Sequence, residues 1–396
     1  MRTHITATQL HPQDRPSAVR VIFTILAAVV LTALSLGILS GSAQAASPTT
    51  WNSVSAGTGY TCGIHTSKSL FCWGYNGSGQ LGDGTTTFRT TPRHVGSAHW
   101  SNVTTGTNTT CGITTGDSLY CWGLNNTNQI GDGTTTERHT PRHVGSAHWS
   151  SVAVGDISTC GITTSEKLYC WGQGANGALG TGGTSSFATP HRVGTATNWV
   201  RVTSGTFHVC ALNSSHQIFC WGYNGAGQIG NGSTVNALSP LRVGTKSDWA
   251  SIDAGALSTC GIRTGGRAYC WGENADGELA DNTRTNALSP TQAGTDFAEW
   301  SAISAGGNHT CAIRTDHALG CTGLNSFGEL GLDDGVDRLT FKREDRGYDD
   351  WHAVSAGRFH TCAIRSSKAL YCWGDNGFGQ LGIGAAGNRF VPTRVS

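Results

Sequence analysis

The fourteen cysteines of this 396-residue chain are its most regularly placed reactive side chains. They fall into seven pairs, each pair ten positions apart: Cys62 and Cys72, Cys111 and Cys121, Cys160 and Cys170, Cys210 and Cys220, Cys260 and Cys270, Cys311 and Cys321, Cys362 and Cys372. Thiols so spaced can oxidise to a disulfide or ligate zinc. Zinc sites gather four ligands, commonly through C-x2-C clusters. Here the clusters are missing and each repeat offers two thiolates. A hairpin folded about Ser67 sets Cys62 directly opposite Cys72, on one face and within bridging reach. A disulfide within each pair is therefore expected, with pairing between neighbouring units and zinc as the alternatives. Each short loop so closed contributes roughly 2–3 kcal/mol at most by the chain-entropy estimate.

Histidines and carboxylates show less pattern. His208, His309 and His360 hold one equivalent place, but in only three units that are not all adjacent. Structural hydrogen bonding is expected of them rather than metal binding. Acids crowd the sixth unit at Asp333, Asp334, Asp337, Glu344, Asp345, Asp349 and Asp350. They do not match a calcium loop, so a solvated loop is the plainer assignment and a partner site the bolder one. No G-x-S-x-G, H-E-x-x-H or phosphate loop is present. Glycine-rich runs such as 77–84 recur along the chain, which makes them scaffold. No catalytic residue, metal or cofactor is assigned, and the chain reads as a binder rather than an enzyme.

The elements that position the cysteines repeat with them. The first cysteines step by 49, 49, 50, 50, 51 and 51 residues. Trp51, Trp100, Trp149, Trp199, Trp249, Trp300 and Trp351 each open a unit, and a second tryptophan follows the second cysteine in six units. Unit six has Thr322 there. Within 51–96 the segments V-x-A-G, T-C-G-I, L-F-C-W-G and R-H-V-G read as four short strands separated by turn residues, with no competing helical period. Four strands in about 50 residues make one propeller blade, and a blade buries both faces only by stacking on neighbours. The expected fold is an all-β, seven-bladed β-propeller over 51–396, with units near 51–99, 100–148, 149–198, 199–248, 249–299, 300–350 and 351–396. Ala-Gly closes the first strand, with Thr105, Val154 and Ser204 replacing Ala in units two to four. Small residues there fit the strand nearest the axis. The N-x-x-G-Q-L-G run, as at 76–82, supplies glycines for a tight loop.

The N-terminus reads as an export signal. Arg2, Arg15 and Arg20 precede an uncharged stretch from Val21 to Leu39, and Ala43-Gln44-Ala45 gives a small-x-small cleavage pattern. Cleavage is expected after Ala45, leaving 46–50 as a short linker; an uncleaved membrane anchor is the alternative. No Arg-Arg pair precedes the apolar run, which argues against a twin-arginine signal. The chain beyond Ala45 carries 23 Lys and Arg against 24 Asp and Glu, a net charge near −1. With no basic excess, neither nucleic acid nor an anionic membrane surface is an obvious partner. Export and disulfides fit one compartment, and a secreted monomer is expected.

The motifs A-G-x-x-H-T-C-A-I, L-Y-C-W-G and N-x-x-G-Q-L-G together resemble the regulator of chromosome condensation repeat in a bacterial exported form. Unit seven carries them most fully, at 356–364, 370–374 and 376–382. The resemblance covers 51–396 and implies the propeller fold. The family's founder is a nuclear nucleotide-exchange factor that binds chromatin, a role at odds with the export signal, disulfides and neutral charge. Some secreted members inhibit β-lactamases through one face of the disc; nothing in these residues selects that partner.

Topology offers a candidate face. In an antiparallel blade the first–second and third–fourth connections share a side. The tripeptide after A-G varies while its flanks repeat, reading TGY, TNT, DIS, TFH, ALS, GNH and RFH in units one to seven. Repeated positions carry the scaffold and varying ones are free to serve an interface. The candidate partner-binding residues are Tyr60, Asn108, Asp156, Ile157, Phe207, His208, Leu257, Asn308, Arg358 and Phe359. Apolar groups on an exposed loop suit an interface core; plugging of the axial channel is the plainer alternative. A mixed apolar and charged ring favours a protein partner, and bare aromatic platforms favour a glycan or cell-envelope polymer.

Overall fold

The computed structural model describes residues 49–294 and 299–396. The expected leader over 1–45 lies outside the described residues, as does most of the 46–50 linker. Twenty-eight strands form seven four-stranded antiparallel sheets, and in each the four strands are consecutive in the chain. Blade one has strands Trp51–Ala56, Tyr60–His65, Leu70–Gly74 and Arg89–His94. The pattern recurs in every blade, and among the described residues the one further element is a three-residue 3-10 turn at Ala175–Gly177.

Each cysteine pair sits in register across the second and third strands, Cys62 opposite Cys72 and likewise in all seven blades. All seven pairs are disulfides, with Cα–Cα separations of 4.1 Å. This close spacing belongs to residues facing each other without exchanging backbone hydrogen bonds. No cysteine is left free.

The core lies between blades rather than within them. Ile64, Leu70 and the Cys62–Cys72 bridge of blade one pack against Trp100, Val103 and Trp122 of blade two. Every one of the thirteen tryptophans is buried. A lone blade would leave these side chains in water, and burying each Leu or Ile contributes roughly 1.5–3 kcal/mol. The tryptophan after the second cysteine also donates to the blade before it. Trp122 Nε1 reaches the Gln80 carbonyl at 2.9 Å, and Trp171 Nε1 reaches the Gln129 carbonyl at 3.0 Å.

Blade seven meets blade one through the same contacts. Trp73 Nε1 and Thr61 Oγ1 both donate to the Gln380 carbonyl at 2.8 Å, and Trp51 N donates to the Lys368 carbonyl at 2.8 Å. Among the described residues no strand is exchanged between the first and last blades. Closure is a seventh copy of an ordinary junction.

The first strands surround the axis. The glycine ending each one faces the glycine of the next blade. A Cβ on Gly57, Gly205 or Gly357 would lie 2.8, 2.3 and 2.5 Å from the carbonyl oxygens of Gly106, Gly255 and Gly57 respectively. That ring of backbone contacts excludes any side chain. Just outside it, the residue two places earlier links blades sideways. Ser55 Oγ accepts from Thr105 N at 3.1 Å, Asp253 Oδ2 from Ala305 N at 3.0 Å, and Ser355 Oγ from Ala56 N at 3.0 Å.

Candidate functional site

The first–second and third–fourth loops do share one face. Each first–second loop holds the start of its blade's third–fourth loop by a backbone bond: Tyr75 N to Gly59 O, Tyr223 N to Phe207 O, Glu273 N to Leu257 O and Asp375 N to Phe359 O, all 2.8–2.9 Å. The longer loop is stapled from within by a buried asparagine. Asn76 Nδ2 donates to the Thr85 and Thr87 carbonyls at 2.9 and 3.1 Å while its Oδ1 accepts from Leu81 N at 2.9 Å. A surface held this way is preorganised.

The three positions of the variable tripeptide have three different fates. The first lines the mouth of the axial channel, a cavity of about 560 Å³. Asp156 and Arg358 both stand there, in blades three and seven. Their neighbours around the mouth are Thr58, Thr107, Thr206, Ala256 and Gly307. The middle position holds Asn108, Ile157, Phe207, Leu257, Asn308 and Phe359, all half-buried. Gly59 fills it in blade one.

The third position is not a surface position. Tyr60 is 0% and His208 1% exposed, so neither can meet a partner. Tyr60 donates its hydroxyl to the Thr109 carbonyl at 2.7 Å, and burial raises its pKa. His208, His309 and His360 each bond a threonine of the next blade: His208 to Thr259 at 2.9 Å, His309 to Thr361 at 2.9 Å and His360 to Thr61 at 2.8 Å. Those threonine hydroxyls already donate to the Gln228, Glu329 and Gln380 carbonyls. A hydroxyl has one proton, so each Nε2 is the donor. Burial pulls the pKa of His208 and His309 down to about 4, and of His360 to about 3. The loop reading failed here because the residue after a tight turn is the first of the second strand, facing the neighbouring blade.

The face holds aromatic groups that the tripeptide did not reveal. Tyr75, Phe88 and Phe378 pack ring against ring at 5.0–5.5 Å across the blade seven–blade one junction. Phe327 of blade six meets Phe359 of blade seven at 5.8 Å, and the Arg358 guanidinium lies 5.5 Å from the Phe359 ring. Phe88, Phe327 and Phe378 are 45%, 38% and 42% exposed. The rings form an arc over blades six, seven and one, with Asp375 beside Phe359. Phe327 and Phe378 occupy one place in N-S-F-G-E and N-G-F-G-Q, where other units carry small or polar residues. Comparing units would have exposed them, as it did the tripeptide.

Two carboxylates sit where four other blades carry glutamine and blade three has Ala178. Glu278 and Glu329 are buried, each accepting from the backbone two residues earlier at 3.0 and 2.9 Å. Each keeps one oxygen without a hydrogen-bond partner. Burial pushes both up to about 7. Asp253 is the acid in the channel wall; burial raises it, against the opposing pull of Arg201. Thr203 and Ser304 donate to it at 3.0 and 3.1 Å. No group of three or more His, Cys, Asp or Glu among the described residues is arranged to hold a metal ion.

Sequence comparisons place curated relatives on short stretches. The ultraviolet-B receptor UVR8 of Arabidopsis thaliana is 35% identical over 94 residues, 24% of this chain and 21% of the receptor. The human X-linked retinitis pigmentosa GTPase regulator is 33% identical over 96 residues, 24% of this chain and 9% of that protein. The matched stretches thus span about a fifth or less of these relatives. Solved structures match far more of the fold. Yeast RCC1 (Prp20) bound to Kap60 gives a TM-score of 0.74 at 20% identity, covering 83% of each chain. Human WBSCR16 gives 0.76 at 19% identity, covering 83% of this chain and 94% of its own. The family model for the regulator of chromosome condensation (RCC1) repeat matches residues 69–113, 117–162, 165–212, 215–262, 265–313 and 369–396. A second model of the same repeat matches 51–80, 199–228, 249–278, 300–329 and 351–380. With repeat matches in every blade, this chain belongs to the RCC1 repeat family.

Proposed function

We propose that this protein is a secreted, non-catalytic scaffold that binds a protein partner on the loop face of the disc, centred on blades six, seven and one. The observation that carries the reading is the arc of exposed Phe327, Phe378 and Phe88 with half-buried Phe359 and Tyr75, flanked by Arg358 and Asp375. Aromatic residues and arginine dominate the energetics of protein interfaces. The rings stack edge to face on one another, giving a compact apolar centre with charged groups at its margin. Such a mixture suits a protein better than the bare aromatic platforms that sugars prefer.

Similar folds support the class. Yeast RCC1 (Prp20) has been solved bound to Kap60, and Prp20p of Saccharomyces cerevisiae has binding properties toward Gsp1p and histones. Those partners belong to those proteins. Seven disulfides point to an oxidising, extracellular setting. No helix of the described residues is long and apolar enough to cross a membrane.

The test is affinity capture from culture supernatant and envelope fractions with the wild-type chain and with Phe359→Ala/Phe378→Ala. A protein retained by the first and lost by the second supports the reading. Retention of the same proteins by both chains, or of no protein by either, would overturn it.

A further inference from the structure

The near-neutral net charge conceals two oppositely charged faces. The charged residues divide by position between the loop-edge connections and the opposite edge, where the second–third turns and inter-blade links lie; Asp253, in the channel wall, is left out, and Asp132 of a loop-edge connection reaches back to within 3.9 Å of Arg142. That those two connections share an edge follows from bonds such as Thr66 N to Thr50 O and Val95 N to Leu70 O. Among the described residues the loop edge carries six Lys and Arg against thirteen Asp and Glu. The turn edge carries seventeen against nine. Nine histidines also lie at the turn edge. Net charge is a sum over the chain, and the fold divides that sum into parts of opposite sign.

The excess is concentrated further. On blades five to seven the turn edge holds nine Lys and Arg and six acids, and four of those cations are paired: Arg263 with Asp248, Arg314 with Asp316, Arg343 with Asp349 and Arg365 with Asp350. On blades one to four there are eight Lys and Arg, three acids and seven histidines at that edge. Lys68, Arg93, Lys167 and Lys246 make no ion pair among the described residues, and Arg142 approaches only Asp132, at 3.9 Å. The link sequence P-R-H-V-G-S-A-H-W occurs twice without change, at 92–100 and 141–149. It presents exposed Arg93, His94 and His99, then exposed Arg142, His143 and His148. Two adjacent blades thus offer the same cationic group one blade apart.

We infer that the turn face of blades one to four is a binding surface for an extended polyanion, a phosphate-bearing glycopolymer of the cell envelope. Repeated cations spaced by a repeating fold match repeated anions along a chain, and each contact releases a counterion. A lipid surface fits less well. Interfacial binding needs aromatic or aliphatic groups to insert. Of the exposed large hydrophobic residues only Val200 and Leu241 lie at this edge, and neither is aromatic. An oxidising compartment favours an envelope polymer over nucleic acid. The surface is distinct from the loop face, so either reading can fail alone.

The test titrates the full chain beyond Ala45 with fluorescent poly(glycerol phosphate). Expected is saturable binding that weakens roughly 10–100-fold between 50 and 200 mM salt. Arg93→Glu/Arg142→Glu should lose at least tenfold in affinity and flatten the salt dependence, Arg93→Gln/Arg142→Gln should lose less, and Phe359→Ala/Phe378→Ala should bind the polymer normally. Both arginines are exposed, and an unchanged thermal transition will confirm that the variants fold. Unchanged affinity after charge reversal would overturn the inference, as would tighter binding to phosphatidylglycerol vesicles or to duplex DNA than to the polymer.

Discussion

Phe341 lies 4.5 Å from Trp300, ring to ring, in the blade whose third strand has lost its tryptophan. In most other blades the unit-opening tryptophan packs on that tryptophan instead, as Trp51 does on Trp73 at 5.5 Å and Trp249 on Trp271 at 5.9 Å. Phe341 stands where every other blade has proline, from Pro92 to Pro392. The two departures in blade six compensate each other: Thr322 vacates volume, and Phe341, 3% exposed, fills it. The hydroxyl of Thr322 donates near the missing indole's place, its Oγ1 lying 2.9 Å from the Gly277 carbonyl and 2.7 Å from that of Arg338.

The pair should therefore be coupled. Phe341→Ala is expected to cost about 3–5 kcal/mol, the usual range for a buried phenylalanine. Thr322→Trp alone should also destabilise, because two large side chains then compete for one space. In an Ala280→Gly background, which supplies the glycine that the other six blades set against this indole, Thr322→Trp/Phe341→Pro restores their pattern and should be more stable than the sum of the single effects predicts. Denaturant unfolding of the four proteins measures the coupling; strict additivity would refute the compensation.

Glu278 and Glu329 make stability depend on pH on the alkaline side. Their folded pKa of about 7 lies above the ordinary 4.5. The stability they contribute as neutral groups is complete below pH 4.5 and is lost as pH rises through 7. Glu278→Gln/Glu329→Gln, which installs the residue most other blades carry, should raise the melting temperature at pH 8 by several degrees and change it little at pH 5.

The buried histidines act on the acid side. Their folded pKa values of about 3–4 lie below the ordinary 6.5. The neutral state's stability is complete above pH 6.5 and is lost as pH falls toward 4. Between pH 4.5 and 6.5 the two effects oppose each other, and three histidines outweigh two glutamates, so the stability maximum falls at about pH 6.5. A melting-temperature profile over pH 3–9 checks it. His208→Gln/His309→Gln/His360→Gln should flatten the acid limb specifically.

Each disulfide should stabilise modestly and locally. Cys160→Ala/Cys170→Ala is expected to cost roughly 2–3 kcal/mol, with the remaining six bridges intact by non-reducing mass spectrometry. Cys160 linked to any residue other than Cys170 in the wild type would contradict the register that sets them opposite each other.

On the loop face, Phe378→Ala is at an exposed position and should cost little, while half-buried Phe359→Ala should lower the melting temperature modestly without unfolding the protein. Loss of at least tenfold in affinity for a captured protein partner is the expected binding result. An unaltered affinity would move the interface elsewhere on the disc.

The repeat was legible in the amino-acid sequence because every blade must solve the same packing problem. Cysteines ten apart, a tryptophan opening each unit and a glycine at the axis are local solutions repeated seven times. They determine blade number, strand order and bridge pairing. Three things depended on the closed ring. One is which of three adjacent loop residues faces solvent: Arg358 is exposed, Phe359 half-buried and His360 enclosed between blades. Successive side chains of a strand alternate between faces, and only the neighbouring blade decides which face is covered. The second is the aromatic arc, where Phe378 of the last blade meets Tyr75 and Phe88 of the first, about three hundred positions away in the chain. The third is charge: a sum over the sequence is near zero, and antiparallel topology sorts its terms onto opposite faces.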